Sequence, residues 1–260
     1  MTPSNAAVTA RERARAELTR EIKEEARRQL AAVGADGLSL RAVARELGMV
    51  SSALYRYYPS KDDLLTALII DAYNAIGESA ETAIASASGS QPASGTSGRD
   101  RWLAACHAIR AWALAHPQEY ALIYGSPVPG YRAPEATIGP AARVPLAFVA
   151  VLRDAVASGE LAIPGAGGVG PVSGLLPVDG PLADQAATLS AVLALEGAPA
   201  VPGYLLVRAV IAWTQLFGMI SFELFGQFVG SFDPADAFFG HAAAQLAALV
   251  GLGSEAPSRR

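Results

Sequence analysis

The sequence predicts an all-α fold, with a small N-terminal three-helix unit built around a helix-turn-helix and a larger helical body behind it. Three observations carry this. Apolar residues make up 52% of the 260-residue chain and charged residues 17%, enough to bury a core and too few charges for a disordered chain. Alanine, the best helix former, dominates, and runs of β-branched residues are few. The stretch LSLRAVARELGMVSSALYRYYPSKDDLL, Leu38 to Leu65, holds a short helix, a glycine turn, a second short helix and a proline stop.

The elements follow in order. Residues 1–10 read as a flexible polar tail. Leu18, Ile22, Ala26, Leu30 and Val33 step by three and four, which predicts a helix over 11–33. Gly34 and Gly37 end it. Ser39 is a good cap for a helix over 40–47 that buries Leu40, Val43, Ala44 and Leu47. Gly48 breaks that helix. A second short helix covers 51–57 and stops at Pro59, because the residue before a proline avoids the helical region. Ser60 caps a long helix from Lys61 to about residue 87, with Asp62 and Asp63 complementing its dipole. Residues 86–98 form a Ser/Gly linker. Further helices are expected over 100–115, then to 124 after the His116-Pro117 stop, and over 140–158, 184–196, 203–230 and 234–252. A Gly/Pro-rich loop fills 163–181, and 254–260 is a frayed tail. The expected domains are therefore 1–66, with 1–10 as its tail, and 67–253.

Charge is unevenly spread. The net charge is −4, yet residues 1–61 hold 11 Lys/Arg against 7 Asp/Glu, and residues 62–260 hold 9 against 17. A basic unit on an acidic body is the pattern of a nucleic-acid reader carried by something else. The single cysteine, Cys106, excludes an internal disulfide framework and a multi-cysteine zinc site, and fits a small buried hydrophobe in a reducing cytoplasm. Residues 1–30 carry charge throughout and contain no apolar signal segment. The apolar run at 204–229 includes Arg208, Gln215, Glu223 and Gln227, so a buried helix or subunit interface is expected there rather than a membrane span.

In a helix-turn-helix the second helix enters the major groove with its N-terminal residues towards base edges. Here those residues are Val50, Ser51, Ser52 and Ala53, small enough for close approach. Leu54 and Tyr58 face inward and lock the helix, which turns Tyr55 and Tyr57 outward as hydroxyl donors to phosphate. Lys61 stands at a helix start whose free N–H groups suit a phosphate, and Ser39 marks another such start. Arg41 is placed to reach a base or a phosphate. The bland alternatives are N-capping for the serines, core packing for the tyrosines and a solvated charge for Lys61. Arg11, Arg13 and Arg15 are read as solvated helix charges, with a minor-groove arm as the alternative.

At these residues the chain resembles the TetR family of bacterial transcription regulators. The resemblance rests on Leu38-Ser39-Leu40-Arg41, the Ala44-x-x-x-Gly48 turn, Leu54-Tyr55-x-Tyr57-Tyr58 and Ser60-Lys61-x-x-Leu64. Met49-Val50 departs from the usual Val-Ser of that turn. Trp112, His116 and Gly125 in AWALAHPQEYALIYG resemble a TetR subgroup whose C-terminal domain carries Trp, His and Gly. The resemblance implies a non-enzymatic, cytoplasmic homodimer that needs no cofactor. Its two heads would read a palindromic operator on double-stranded DNA, and a small molecule in the body would release it as a repressor. The last two helices, with Phe222, Phe225, Phe228, Phe238 and Phe239, have the composition of a four-helix dimer interface.

Pockets are lined by aromatics, and Trp112, Tyr124, Phe148 and Trp213, with His116 at the rim, are the candidate contacts to a hydrophobic effector. Trp102, Tyr120, Phe217 and Met219 are further aromatic or soft side chains of the same kind. A carrier or enzyme for an apolar small molecule, using the N-terminal unit for docking, is the competing function. It lacks any nucleophile–base constellation. His107, His116 and His241 are far apart with no ligand spacing, which argues against a metal. GAGGVG at 165–170 has neither a strand before it nor a helix after it, so it is no dinucleotide loop.

Overall fold

The computed structural model describes residues 3–88, 97–161, 178–193 and 201–253. Every regular element among them is helical: α1 Pro3–Gly37, α2 Leu40–Glu46, α3 Ser51–Leu54, α4 Lys61–Ser88, α5 Gly98–Ala115, α6 Pro117–Tyr124, a 3-10 turn Glu135–Thr137 leading into α7 Ile138–Ala157, α8 Gly180–Leu193, α9 Gly203–Leu224 and α10 Asp236–Leu249. The all-α expectation holds. The 165–170 glycine run, most of the 86–98 and 163–181 loops and the 254–260 tail lie outside the described residues.

Several boundaries differ from expectation for local reasons. α1 begins at Pro3 rather than at residue 11: Pro suits a first turn, and the alanines that follow have no reason to leave the helix. Its expected stop is real, since Gly34 takes φ 71° and breaks the helical path. Val33 ends up 59% exposed instead of buried, because the chain turns away just after it. α3 is shorter than the 51–57 expected, and residues 55–58 form a tightened turn. α7 runs through Pro145.

The chain divides into two compact units, Met1–Asn74 with His116–Ala141, and Ala75–Ala115 with Ala142–Arg260. The first is built on a core of Ile22, Ala26 and Leu30 from α1, Leu40, Val43 and Ala44 from α2, Leu54 from α3 and Leu64, Leu65 and Leu68 from α4. Ion pairs flank that core. Asp71 on α4 takes Lys23 and Arg27 at 2.8 and 2.7 Å, and Arg27 also holds Glu119 of α6 at 2.7 Å. Tyr73 of α4 stands edge-on to Tyr124 of α6, with ring centres 6.0 Å apart.

The second unit packs α5, α7, α9 and α10 with Trp102, Ile109, Leu152, Leu206, Leu216 and Phe239 fully enclosed. Cys106 is buried there and burial pushes its thiol far up, so it is an inert core residue. The segment 135–157, which includes α7, and α9 have the length and hydropathy of a membrane span by composition alone, and each is only partly buried, 33% and 39%. α9 is tied into the helical core by charge: Arg110 of α5 forks onto Glu223 at 2.7 and 2.6 Å and reaches Asp236 at 3.0 Å. Arg110 also lies over the Phe239 ring. These bonds hold the guanidinium protonated well above its ordinary range and keep the Asp236 carboxyl low.

Removing one partner of a buried pair leaves the other uncompensated. Glu223→Ala leaves the part-buried Arg110 guanidinium with Asp236 as its remaining carboxylate and should therefore destabilise the protein by about 2 kcal/mol, measured by urea denaturation. Asp236, whose side chain is 76% exposed, should cost far less when changed to alanine.

Candidate nucleic-acid interface

The short helices of the first unit are held in place from both ends. Ser39 is extended at φ −135° and its Oγ accepts from Ala42 N at 3.4 Å, while its own N–H points to Gln29 Oε1 at 3.4 Å. α2 buries Leu40, Val43 and Ala44 on one stripe. Its C-terminus closes in a Schellman pattern: Met49 N donates to Ala44 O at 2.8 Å and Gly48 N to Arg45 O at 3.1 Å. That motif requires a left-handed residue, and Gly48 supplies φ 65°. The turn aims the chain at α3.

α3 is one turn long, and an isolated turn does not survive in water. Leu54 fixes it. The side chain is fully buried, and Tyr58 beside it is 8% exposed. Burial, with Asp71 nearby, pushes the Tyr58 phenol above its ordinary value, against the opposing pull of Arg27. With Leu54 inside, Ser52 and Tyr55 face solvent, while Ser51 and Ala53 are half-exposed. Val50, not a serine, occupies the N-cap, and no side chain caps the helix. Neither Ser51 nor Ser52 spends its hydroxyl on another described residue. Tyr55 is 40% exposed. Tyr57 is half-buried against the core, with the Arg15 guanidinium 5.5 Å from its ring centre.

Arg41 is exposed on α2. Lys61 is partly committed: its Nζ donates to the Asp36 carbonyl at 2.8 Å. The start of α4 is capped by Ser60, whose Oγ accepts from Asp63 N at 3.1 Å. The eight expected DNA-facing residues, Ser39, Arg41, Ser51, Ser52, Ala53, Tyr55, Tyr57 and Lys61, are thus all in the first unit, on α2, α3, the turn after α3 and the starts of α2 and α4.

The expected effector contacts do not fall together in this way. Trp112 and Phe148 are buried and Trp213 half-buried in the second unit. His116 and Tyr124 belong to the first unit, His116 exposed ahead of α6 and Tyr124 tilted against Tyr120 with ring centres 5.2 Å apart. In the second unit, an open groove of about 570 Å³ runs between α8 and α9, lined by Ala183, Ala186, Ala187, Ser190, Gly203 and Tyr204 among others. None of the five candidates lines it. Sequence reasoning passed over it because small side chains carry no binding signature.

Residues 22–68 match the bacterial regulatory proteins of the tetR family, and residues 102–246 match the tetracyclin repressor-like C-terminal domain. The chain belongs to the TetR family. The second match contains Trp112, His116 and Gly125. Two relatives are the HTH-type transcriptional regulators Rv1816 of Mycobacterium tuberculosis and Mb1846 of Mycobacterium bovis. Each is 37% identical over 216 residues, covering 83% of this chain and 84% of theirs. The crystal structure of regulatory protein SCO4313 is similar with a TM-score of 0.66 at 37% identity, covering 90% of this chain and 97% of that one. A Rhodococcus sp. RHA1 structure shares the fold at a TM-score of 0.62 and 23% identity, covering 91% and 96%. This TetR-family protein is a DNA-binding transcriptional regulator, and the names of its relatives describe regulators rather than enzymes.

Leu54 carries the placement of α3. Leu54→Ala should lower stability by about 3 kcal/mol, as other buried leucine truncations do, and thermal unfolding followed by circular dichroism would measure it.

Proposed function

We propose that this TetR-family regulator acts in the cytoplasm as a homodimeric repressor, reading a palindromic operator and released by a hydrophobic small molecule. The observation that carries the reading is the burial of Leu54, which leaves the Ser51 and Ser52 hydroxyls and the Tyr55 phenol outward on a helix start. Ser51, Ser52 and Ala53 approach base edges. Ser39, Tyr55, Tyr57 and Lys61 bind phosphate oxygens, and Arg41 reaches either. Lys61 keeps two of its three ammonium protons for DNA after its bond to Asp36. The DNA-binding domain spans 1–66 and the effector and dimerisation domain 67–253.

Dimerisation through α9 and α10 is supported by their exposed aromatics. Phe222, Phe225 and Phe232 are 54%, 49% and 54% exposed. Phe228, Phe232 and Phe238 form one cluster, with ring centres 5.2 Å apart for Phe228–Phe238 and 4.6 Å for Phe232–Phe238. Aromatic surface of this kind suits a subunit interface. An effector is supported by Trp213, whose Nε1 is buried without an acceptor among the described residues. A ligand oxygen beside Trp213, with Trp112 and Phe148 of the same unit supplying apolar walls, would satisfy it; His116 and Tyr124, in the first unit, are candidate effector contacts of their own. Effector and operator would then oppose each other reciprocally, with a coupling of about 1–3 kcal/mol.

Selection of binding sites from random duplex DNA tests the reading. A palindrome should emerge, with affinity falling steeply between about 50 and 200 mM salt, and the double substitution Ser52→Ala/Tyr55→Phe should abolish recovery. A folded protein that enriches no sequence, with or without candidate effectors, would sink it. The interface makes a separate expectation: Phe222→Asp/Phe225→Asp should sediment as a monomer and bind the same duplex more weakly.

A further inference from the structure

The positive charges of the first unit are sorted into two sets. Further along α1, every cation has a carboxylate: Arg20 bonds Glu17 and Glu24, Lys23 and Arg27 bond Asp71, Arg27 adds Glu119, and Arg28 bonds Glu25. At the other end of α1, Arg11, Arg13 and Arg15 have no carboxylate within ion-pair distance among the described residues. Glu12 shares a groove with Arg15 but does not pair with it. Arg41 and Arg56, on the two short helices and the turn after them, are likewise unpaired. Lys23 and Arg27 are neutralised where α1 packs on α4 and α6, Arg20, Arg28 and Arg45 pair locally on helix surface, and free charge sits at the α1 start and at Arg41 and Arg56.

Arg15 joins these two groups of free charge. Its guanidinium lies 5.5 Å from the centre of the Tyr57 ring, and Tyr57 is itself wedged against the core that fixes α3. A cation over an aromatic face is held by the ring quadrupole while its N–H edges stay open. None of those donors is engaged by another described residue. Arg15 is therefore positioned beside the recognition turn rather than free to swing. Arg11 lies one turn earlier on the same face, about 6 Å along the axis, and Arg13 points to the opposite side.

We propose that Arg15, seated on Tyr57, and Arg11 one turn before it form a lateral clamp on the DNA phosphates, making the start of α1 part of the DNA-binding surface. The proposal rests on the regulator reading and adds two residues that the helix-turn-helix alone does not supply. Phosphate contacts of this kind set affinity and register and carry no sequence information.

The full chain and the duplex it selects provide the test, with dissociation constants followed from about 50 to 200 mM salt. Each lost phosphate contact should flatten the log–log salt dependence by about 0.9, so Arg11→Ala/Arg15→Ala should flatten it by about 1.8 and leave the selected consensus unchanged. Arg13→Ala should behave as wild type. Tyr57→Phe loses the phosphate-binding hydroxyl but keeps the ring, so it should weaken affinity without changing the slope, whereas Tyr57→Ala should also lose about 0.9 of the slope. Circular dichroism melts confirm that each variant is folded. A double arginine variant with wild-type slope and affinity, on DNA that the wild type binds, would overturn the clamp alone. A wild-type protein that binds no duplex would overturn the regulator reading and the clamp with it.

Discussion

The DNA-reading face depends on one buried side chain. α3 is a single helical turn, and nothing in its own hydrogen bonding makes it stable. Leu54, fully enclosed by α1, α2 and α4, ties that turn to the core. Once Leu54 points inward, helical geometry decides the rest: the positions before and after it turn outward, and these are serine and tyrosine. The Gly48 turn contributes the complementary constraint. A left-handed residue there lets α2 end at Glu46 and α3 start at Ser51, with four residues between them, at an angle that an L side chain would strain.

A second constraint is electrostatic. The first unit places arginine and lysine on almost every exposed turn of α1, which alone would repel. Carboxylates from α1, α4 and α6 neutralise the set that faces packed protein. Arg11, Arg13, Arg15, Arg41 and Arg56 have no carboxylate partner among the described residues, and a polyanion is the partner that suits them. The partition has two sources: Arg20 and Arg28 pair with carboxylates three or four residues away on α1, whereas Lys23 and Arg27 find theirs on α4 and α6 through packing.

Much of this was legible in the sequence. The four-residue spacing of Ile22, Ala26 and Leu30 located the α1 stripe, and Leu40, Val43 and Ala44 located that of α2. The Gly48 and Pro59 breaks bounded the recognition turn. Local signals failed where tertiary contact decides. The start of α1 at Pro3 was missed because polar, alanine-rich residues read equally as tail or helix. Tyr57 was read as an outward phenol, whereas the Arg15 contact and the core leave it half-buried. The pairing of Arg110 with Glu223 and Asp236 spans more than a hundred residues and leaves no trace in spacing.

The second unit was the less legible half for a physical reason. A DNA surface repeats one problem, the binding of a regular polyanion, and so draws on few residue types at fixed positions. A cavity for an apolar molecule has many solutions, and its lining residues are the same types that fill any core. Trp112 and Phe148 are buried as core residues are. Trp102 and Trp213 both enclose an indole N–H without an acceptor among the described residues, but Trp102 is fully buried against Phe148, so the half-buried Trp213 is the one open to a ligand. A buried donor that the protein leaves unpaired costs free energy unless something brings an acceptor. That unpaired donor, rather than aromatic content, is the feature of this unit that points towards a ligand.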